Sequence, residues 1–380
     1  MLKKLGERRE GMKTEELKPA IDYLEKINDE DGVVIIHHWD MDGISSSAII
    51  SKILEQERGN PAGEVTIPDE RSYHLTEKDH KLLKDATKLI VLDFNLKADE
   101  LEEIEEEFDL DVLVVDHHSF DREPDVQFVN PRAEDAEVYI PCSKICMDIA
   151  SEFGLEEEVR WIAGLGVIQD FGVDSCPELF EELENNYKKY LPEELSQQQL
   201  AKNCEYGRYS SVLNIKPYRD SKHYAKLAYQ ALTLMKSEDL KELEAQEEYR
   251  KVYEVYLEMQ DEFNKAVENY EEDREIDREK MIIFFDIDSD FHITSSISTN
   301  MSTKTPEWVH LVIQKGDEEI NISARCQSGR VDLGELMQKA LPDGAVEDGG
   351  EAGGHQKAAG ASMKPKYLED FKQNFTELVE

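Results

Sequence analysis

The sequence predicts an α/β protein: an N-terminal domain built on a parallel sheet, a helical linker, and a smaller C-terminal α+β domain with a mixed sheet. Three observations predict it. From 31 to about 175, short apolar runs alternate with amphipathic stretches; from about 177 to 275 the periodicity is helical; from 281 strands return. The expected boundaries are 1–195, 196–276 and 277–380. A chain of 380 residues is long enough for two domains that each bury a core.

In the first part, "GVVIIHH" (32–38), "KLIVLDF" (88–94), "DVLVVDHH" (111–118) and "VQFVNP" (126–131) read as strands. Their unbroken Val/Ile/Leu content is that of strands buried on both faces, as in a parallel sheet. "GISSSAIISKILEQE" and "TEKDHKLLKDA" read as the helices between them. In the middle part, a helix is expected from Ser237, a candidate N-cap. Tyr249, Val252, Tyr253, Tyr256, Met259, Phe263, Val267 and Tyr270 lie at three- and four-residue steps along it, one apolar stripe of a connector packed on one side. In the last part, "MIIFFDID", "WVHLVIQKG" and "EEINISARC" read as strands, "DLGELMQKAL" as a helix and "HQKAAGASMK" as a closing strand.

Composition narrows the function classes. Lys and Arg number 44 against 85 Asp and Glu, a formal net charge of −41. That argues against a protein that coats nucleic acid through a cationic surface. A polyanion would have to bind at a local site, with metal ions supplying positive charge. No apolar run approaches the roughly 20 residues of a membrane span, and the first residues lack the apolar core of a signal peptide. A soluble cytoplasmic protein with no membrane partner is expected. The five cysteines (142, 146, 176, 204 and 326) form no CxxC pair, which favours reduced thiols.

The polar residues that follow the apolar runs carry the chemistry. "HHWDMDG" (37–43) ends the first strand, Asp93 the second and Asp116-His117-His118 the third, while "GLGVIQDFG" adds Asp170. In a parallel sheet such ends lie side by side, so the clusters are expected to converge on one crevice. Alternation along an extended segment would send His38, Asp40 and Asp42 to one side. Buried carboxylates need compensation, and mixed imidazole and carboxylate ligands suit Mn, Fe or Zn more than Ca. Six candidate ligands (His38, Asp40, Asp42, Asp93, His117 and Asp170) suit two ions sharing a carboxylate, about 3.5–4 Å apart. Any one of these residues alone would read as a turn former or cap; four clusters together read as a metal centre. Further on, "GGHQKAAG" (353–360) offers Gly353 and Gly354 for close backbone approach to an anion, with His355 and Lys357 as donors. Arg325, in "NISARC", has the planar fork suited to phosphate, or to a surface ion pair.

"HHWDMDG", "VLDF", "VVDHH", "GVIQD" and "GGHQKAAG", in that order from about 31 to 363, resemble the DHH phosphoesterase superfamily with its DHH-associated C-terminal domain. The resemblance implies an N-terminal DHH catalytic domain, a helical linker, a substrate-binding domain, and an active site in the cleft between the two domains. It implies two divalent metal ions, commonly Mn, with Mg or Co as substitutes. His38, Asp40 and Asp93 would hold the first ion; Asp42, Asp93, His117 and Asp170 the second. Asp116 would orient a histidine ligand, and His118 would contact the scissile phosphate or protonate the leaving oxygen. Arg325, Gly353, Gly354 and His355 would grip substrate phosphates, while His37 takes no role and reads as a packed histidine. The implied reaction is in-line attack on phosphorus by hydroxide. "HxDxDGISSSA" resembles the RecJ-like branch, which implies an exonuclease on single-stranded DNA or RNA. The family also implies two alternatives. One is a phosphodiesterase of short oligonucleotides (a nanoRNase) or of cyclic dinucleotides. The other is a replisome scaffold that binds the GINS complex.

Overall fold

The computed structural model describes residues 11–69, 72–235 and 239–379; Ser237 lies outside them. The chain divides into two compact units. One comprises the residues up to Lys216 together with Asp220–Glu254, the other Pro217–Arg219 together with Val255–Glu380. Among the described residues no helix is long and apolar enough to cross a membrane.

The first unit is built on five strands: β1 (Val33–His37), β2 (Glu64–Thr66), β3 (Lys88–Leu92), β4 (Asp111–Val115) and β5 (Gln127–Val129). They pair in the order β2-β1-β3-β4-β5, all parallel. Every residue of β1 is buried, and so are the apolar residues of β3 and β4, as continuous Val/Ile/Leu runs require. The short edge strand β2 was not legible, because three residues with an exposed Glu64 show no strand pattern. Around the sheet stand α1 (Thr14–Leu24), α2 (Met41–Arg58), α3 (Glu77–Leu83), α4 (Ala98–Phe108), α5 (Cys142–Glu152) and α6 (Glu156–Gln169). After them come α7 (Pro177–Tyr187), α8 (Gln197–Lys202), α9 (Glu205–Leu213), α10 (Ser221–Thr233), α11 (Lys241–Ala245) and α12 (Glu247–Asp273). The unit boundary falls within α12.

Two local readings change. The apolar run before Asp170 is not a strand but α6, whose residues from Trp161 to Ile168 are all buried; a helix buried on all sides has the same unbroken apolar run as a buried strand. The expected helix across 237–273 is interrupted at Gln246, which is extended. Leu243 and Tyr249, both buried, would face different directions in one continuous helix, and the break lets both turn inward. Beyond it the one-sided stripe holds, with Tyr249, Val252, Met259 and Tyr270 buried.

The second unit carries β6 (Glu275–Asp277), β7 (Ile282–Ile287), α13 (Thr294–Lys304), β8 (Val309–Lys315), β9 (Ile320–Arg325), α14 (Leu333–Ala340), α15 (Asp343–Glu347), β10 (Glu351–His355), β11 (Ala358–Met363) and α16 (Leu368–Leu378). The sheet order is β10-β11-β9-β8-β7-β6, mixed because β7 and β8 alone run parallel. Met337 of α14 and Phe371 and Phe375 of α16 bury themselves against Leu311, Ile313 and Ile322. The stretch "HQKAAGASMK" supplies the closing strand β11, the second arm of a hairpin with β10, and α16 follows it. Gly354 is at φ +143°, a conformation L side chains rarely adopt, and a Cβ there would collide with Ala359.

The β1–α2 turn needs its glycine. A Cβ on Gly43 would meet His38 O and lie 2.8 Å from His38 N. Gly43→Ala is therefore expected to destabilise the protein by roughly 1–3 kcal/mol, read as a lower urea midpoint. A midpoint equal to that of the wild type would show that the turn relaxes without cost.

Candidate metal centre

The chain runs from β1 through α2 to β2 on one side of β1, whereas β3 lies on the other, so the strand order reverses between β1 and β3. Such a switch point opens a crevice at the carboxyl ends of the strands. Backbone pairing continues one residue past each strand: His38 N donates to Leu92 O (3.1 Å), Asp93 N to Val115 O (2.9 Å) and Asp116 N to Val129 O (3.0 Å). Three strand ends are thereby held in a row with their polar residues in register.

The side chains converge on Asp93. His38 Nδ1 lies 2.7 Å from Asp40 Oδ2 and 3.7 Å from Asp93 Oδ2. His117 Nε2 lies 3.2 Å from Asp93 Oδ1 and 3.5 Å from Asp170 Oδ2. Three overlapping ligand groups result, His38-Asp40-Asp93, Asp42-His117-Asp170 and Asp93-Asp116-His117-His118, each with donor atoms within 4.8 Å of one another. Asp93, with one carboxylate oxygen toward His38 and the other toward His117, stands between the two. Its backbone is left-handed, φ +56°, a conformation that aspartate tolerates better than most residues.

These groups fit divalent cations. His38 Nδ1, Asp93 Oδ1 and His117 Nε2 are buried, and although each lies close to a neighbouring imidazole or carboxylate atom, none of these contacts has hydrogen-bond geometry, a costly state unless another ligand satisfies them. Asp93 is only 1% exposed, and burial followed by the charges of Asp42, Asp40 and Asp170 pushes its pKa well above the ordinary carboxylate value. Burial and Asp170 raise Asp42 to about 7. Burial, opposed by a hydrogen bond from Tyr139 and assisted by Asp40, raises Asp170 to about 6. Burial opposes ionisation of Asp40 as well, but His38 and Lys216 more than offset it and hold its pKa low. Dense negative charge with nitrogen donors interspersed is what a cation pair neutralises.

The expected alternation of His38, Asp40 and Asp42 does not occur, because the strand ends at His37 and α2 begins at Met41. Asp40 is the helix N-cap, accepting from Gly43 N at 3.3 Å. Asp42 reaches the cluster from the first turn of α2, held by the amino end of α5: Cys142 N donates to Oδ2 (2.7 Å) and Ser143 N to Oδ1 (3.0 Å), with Ser143 Oγ also bonded. Asp170 is the C-cap of α6. His37 is a packed histidine, its Nδ1 2.8 Å from His38 O and its pKa lowered by burial to about 4.

Asp116 orients His118. Its Oδ1 accepts from His117 N (2.8 Å), His118 N (3.3 Å) and His118 Nδ1 (2.8 Å). Burial alone would lower the pKa of His118, and Asp116 reverses this and raises it. Four supports of the site carried no readable signal, since their partners are fixed only by the fold. Asn130 Nδ2 donates to His118 O (3.0 Å) and Arg132 Nε to His117 O (2.8 Å). Tyr139 Oη lies 2.6 Å from Asp170 Oδ2, and Lys216 Nζ 3.6 Å from Asp40 Oδ2.

In the second unit, Arg325 (β9), Ala358 (β11) and His355 (β10) are cross-strand neighbours on one face. Small Ala358 stands between the two longer side chains. Arg325 donates through Nη2 to Ser295 Oγ (3.0 Å), while its buried Nε has no partner. Gly353 and Gly354 belong to β10 rather than to a loop.

Without metal, Asp42 and Asp170 hold their protons more tightly folded than unfolded. Their contribution to stability is complete below the unfolded value of about 4 and is lost as pH rises through about 6–7. Chelator-stripped protein is thus expected to melt at a lower temperature at pH 8 than at pH 5.5. Mn2+ should raise the melting temperature most at pH 8, where the ligands are free of protons. A melting temperature that Mn2+ leaves unchanged at pH 8 would exclude a cation site here.

Comparison with known proteins agrees with this architecture. The DHH family, N-terminal domain, matches residues 32–197, and the DHHA1 domain matches residues 275–380. No curated protein matches the chain in sequence. Among solved structures, exonuclease RecJ bound to manganese is 17% identical, with 97% of this chain and 95% of that chain covered and a TM-score of 0.68. RecJ from Thermus thermophilus in complex with Mn2+ is 16% identical, with 98% of this chain and 56% of that chain covered, TM-score 0.68. CDC45 from Entamoeba histolytica shares the fold at 9% identity, 96% and 98% coverage and a TM-score of 0.55. With both domain families matched in order and an acidic cluster at the strand ends of the first, the chain belongs to the DHH family and carries its DHHA1 domain.

Proposed function

We propose that this chain is a metal-dependent phosphodiesterase, an exonuclease that shortens single-stranded DNA or RNA to mononucleotides with two divalent ions, Mn by preference. The observation that supports it most is Asp93 standing between His38 and His117, with buried atoms in close contact but without hydrogen-bond geometry. Likeness in fold to two RecJ structures bound to manganese supports the choice of substrate and ion. In this reading His38, Asp40 and Asp93 hold one ion, and Asp42, Asp93, His117 and Asp170 the other. Such ions supply Lewis-acid neutralisation of the phosphoryl group and lower the pKa of the attacking water.

The chain's own residues do the rest. Asp116, a carboxylate that only accepts, fixes the proton of His118 on Nδ1 and turns Nε2 outward. Asp116 raises the pKa of His118, which favours the protonated ring, and its side chain is 43% exposed, so it can meet a phosphate or give a proton to the leaving oxygen. Asp42 and Asp170 accept the charge of the ions rather than protons once the centre is loaded. Arg325, Gly353, Gly354 and His355 would hold phosphates of the strand, with the unpartnered Nε of Arg325 available for a second hydrogen bond.

End-labelled 20-mer and 3-mer strands with Mn2+ test this. Both are expected to shorten. Asp93→Asn tolerates the left-handed backbone but removes the shared charge, so it should abolish cleavage while the protein stays folded. His118→Ala should lower kcat by about 10²–10⁴-fold. Asp116→Asn removes the charge that raises His118, so the alkaline limb of the pH–rate profile should move to lower pH. Cleavage confined to dimers and trimers would favour the short-oligonucleotide reading. A wild type inactive with Mn2+, Mg2+ and Co2+ alike would overturn the hydrolase reading.

A further inference from the structure

A cavity of about 570 Å³ opens in the first unit, with His38, Asp40, Asp93 and His118 at one end. This is the size of a small-molecule site. Its lining mixes charged residues, among them Lys97, Asp99, Asp121 and Arg122, with aromatic ones: Tyr73, Phe94, and Phe120 set edge-on to Phe128 at 5.1 Å.

Tyr73 is the unusual member. Its side chain is 61% exposed, although it has an apolar bed to rest on. Trp39 meets its ring at 5.1 Å and 64°, and Phe94 lies nearly parallel at 6.2 Å and 15°. Both are buried, so the back of the ring is fixed and the front is open. The loop is pinned as well: Glu100 of α4 accepts from Leu75 N at 2.7 Å and pairs with His74 Nδ1 at 2.8 Å. Trp39 is also the residue between His38 and Asp40, and its ring lies 4.3 Å from that of His38. The platform is thus tied to the first ligand group through one side chain. A leucine would cover Trp39 equally well; only an aromatic ring offers a flat π-face at a fixed height beside the carboxylates.

We propose that Tyr73 is a stacking platform for a nucleobase, and that the cavity takes the nucleoside whose phosphate reaches the metal centre. The inference rests on the phosphodiesterase reading and adds to it the side chain that would hold a base. Stacking on an aromatic side chain tolerates any base, so no strong sequence preference accompanies it.

Binding of AMP and of ribose 5-phosphate to the Mn2+-loaded protein, measured by calorimetry, tests the inference without turnover. The wild type should bind AMP about tenfold or more tightly than ribose 5-phosphate. Tyr73→Phe should keep the ratio. Tyr73→Ala should bring it close to one, and so should Tyr73→Leu, which covers Trp39 but cannot stack. Equal affinity in the wild type, a ratio that survives in both Tyr73→Ala and Tyr73→Leu, or no binding of either ligand at millimolar concentration would overturn the proposal. The two readings fail separately. Cleaved strands with equal affinities would sink the platform alone, and a Tyr73-dependent ratio without strand cleavage would sink the exonuclease alone.

Discussion

The first unit is organised around an electrostatic burden. Asp93 is buried with Asp40, Asp42, Asp116 and Asp170 close enough to raise or compete for its charge. Burying one unpaired carboxylate is costly, and several in one crevice cannot all ionise without compensation. The protein accepts this cost because the parallel sheet delivers those side chains whether or not a ligand is present. Backbone bonds past the ends of β1, β3 and β4 fix His38, Asp93 and Asp116 side by side. The resulting concentration of negative charge is what a pair of divalent cations complements.

Second contacts distribute the burden unevenly. Asp42 is tied to the amino end of α5, where backbone N–H groups favour negative charge, yet burial and Asp170 still raise it to about 7. Asp40 is held low by His38 and Lys216. Asp116 is spared because it accepts three hydrogen bonds from the His117-His118 segment. The cluster therefore contains acids of different strength, with the weakest nearest the shared position. Asn130 and Arg132 grip the carbonyls of the two histidines from outside, so this segment is positioned by side chains that never face the crevice.

If the chain acts on a polyanion, as proposed, its net charge of −41 requires the attraction to be confined to a small region. Most surface cations are already engaged; Arg122, for example, bonds both Asp99 and Glu102. On the proposed reading, affinity for a strand would come from the ions, from local groups such as His118 and Arg325, and from uncharged contacts. Aromatic stacking is one such contact, insensitive to the acidic surface. The exposed ring of Tyr73 beside the carboxylates fits an enzyme that cannot rely on a basic groove.

Much of this was legible in the residues alone. Unbroken Val/Ile/Leu runs identify β1, β3 and β4 because a strand buried on both faces admits little else. Carboxylates and imidazoles placed after those runs identify the site, since parallel strand ends are neighbours in any such sheet. What stayed hidden depends on contacts distant in sequence. Asp42 is held from α5, a hundred residues away, and acts from a helix turn rather than from the extended segment that alternation suggests. The run before Asp170 is a helix, because total burial removes the periodicity that separates helix from strand. Tyr73 sits in a polar loop with no pattern around it. Its partners Trp39 and Phe94 follow two different strands, and only the pairing of β1 with β3 brings them beneath it. Local composition determined the strands and the ligand types; the packing of remote segments decided each ligand's support, its proton affinity and the aromatic wall beside it.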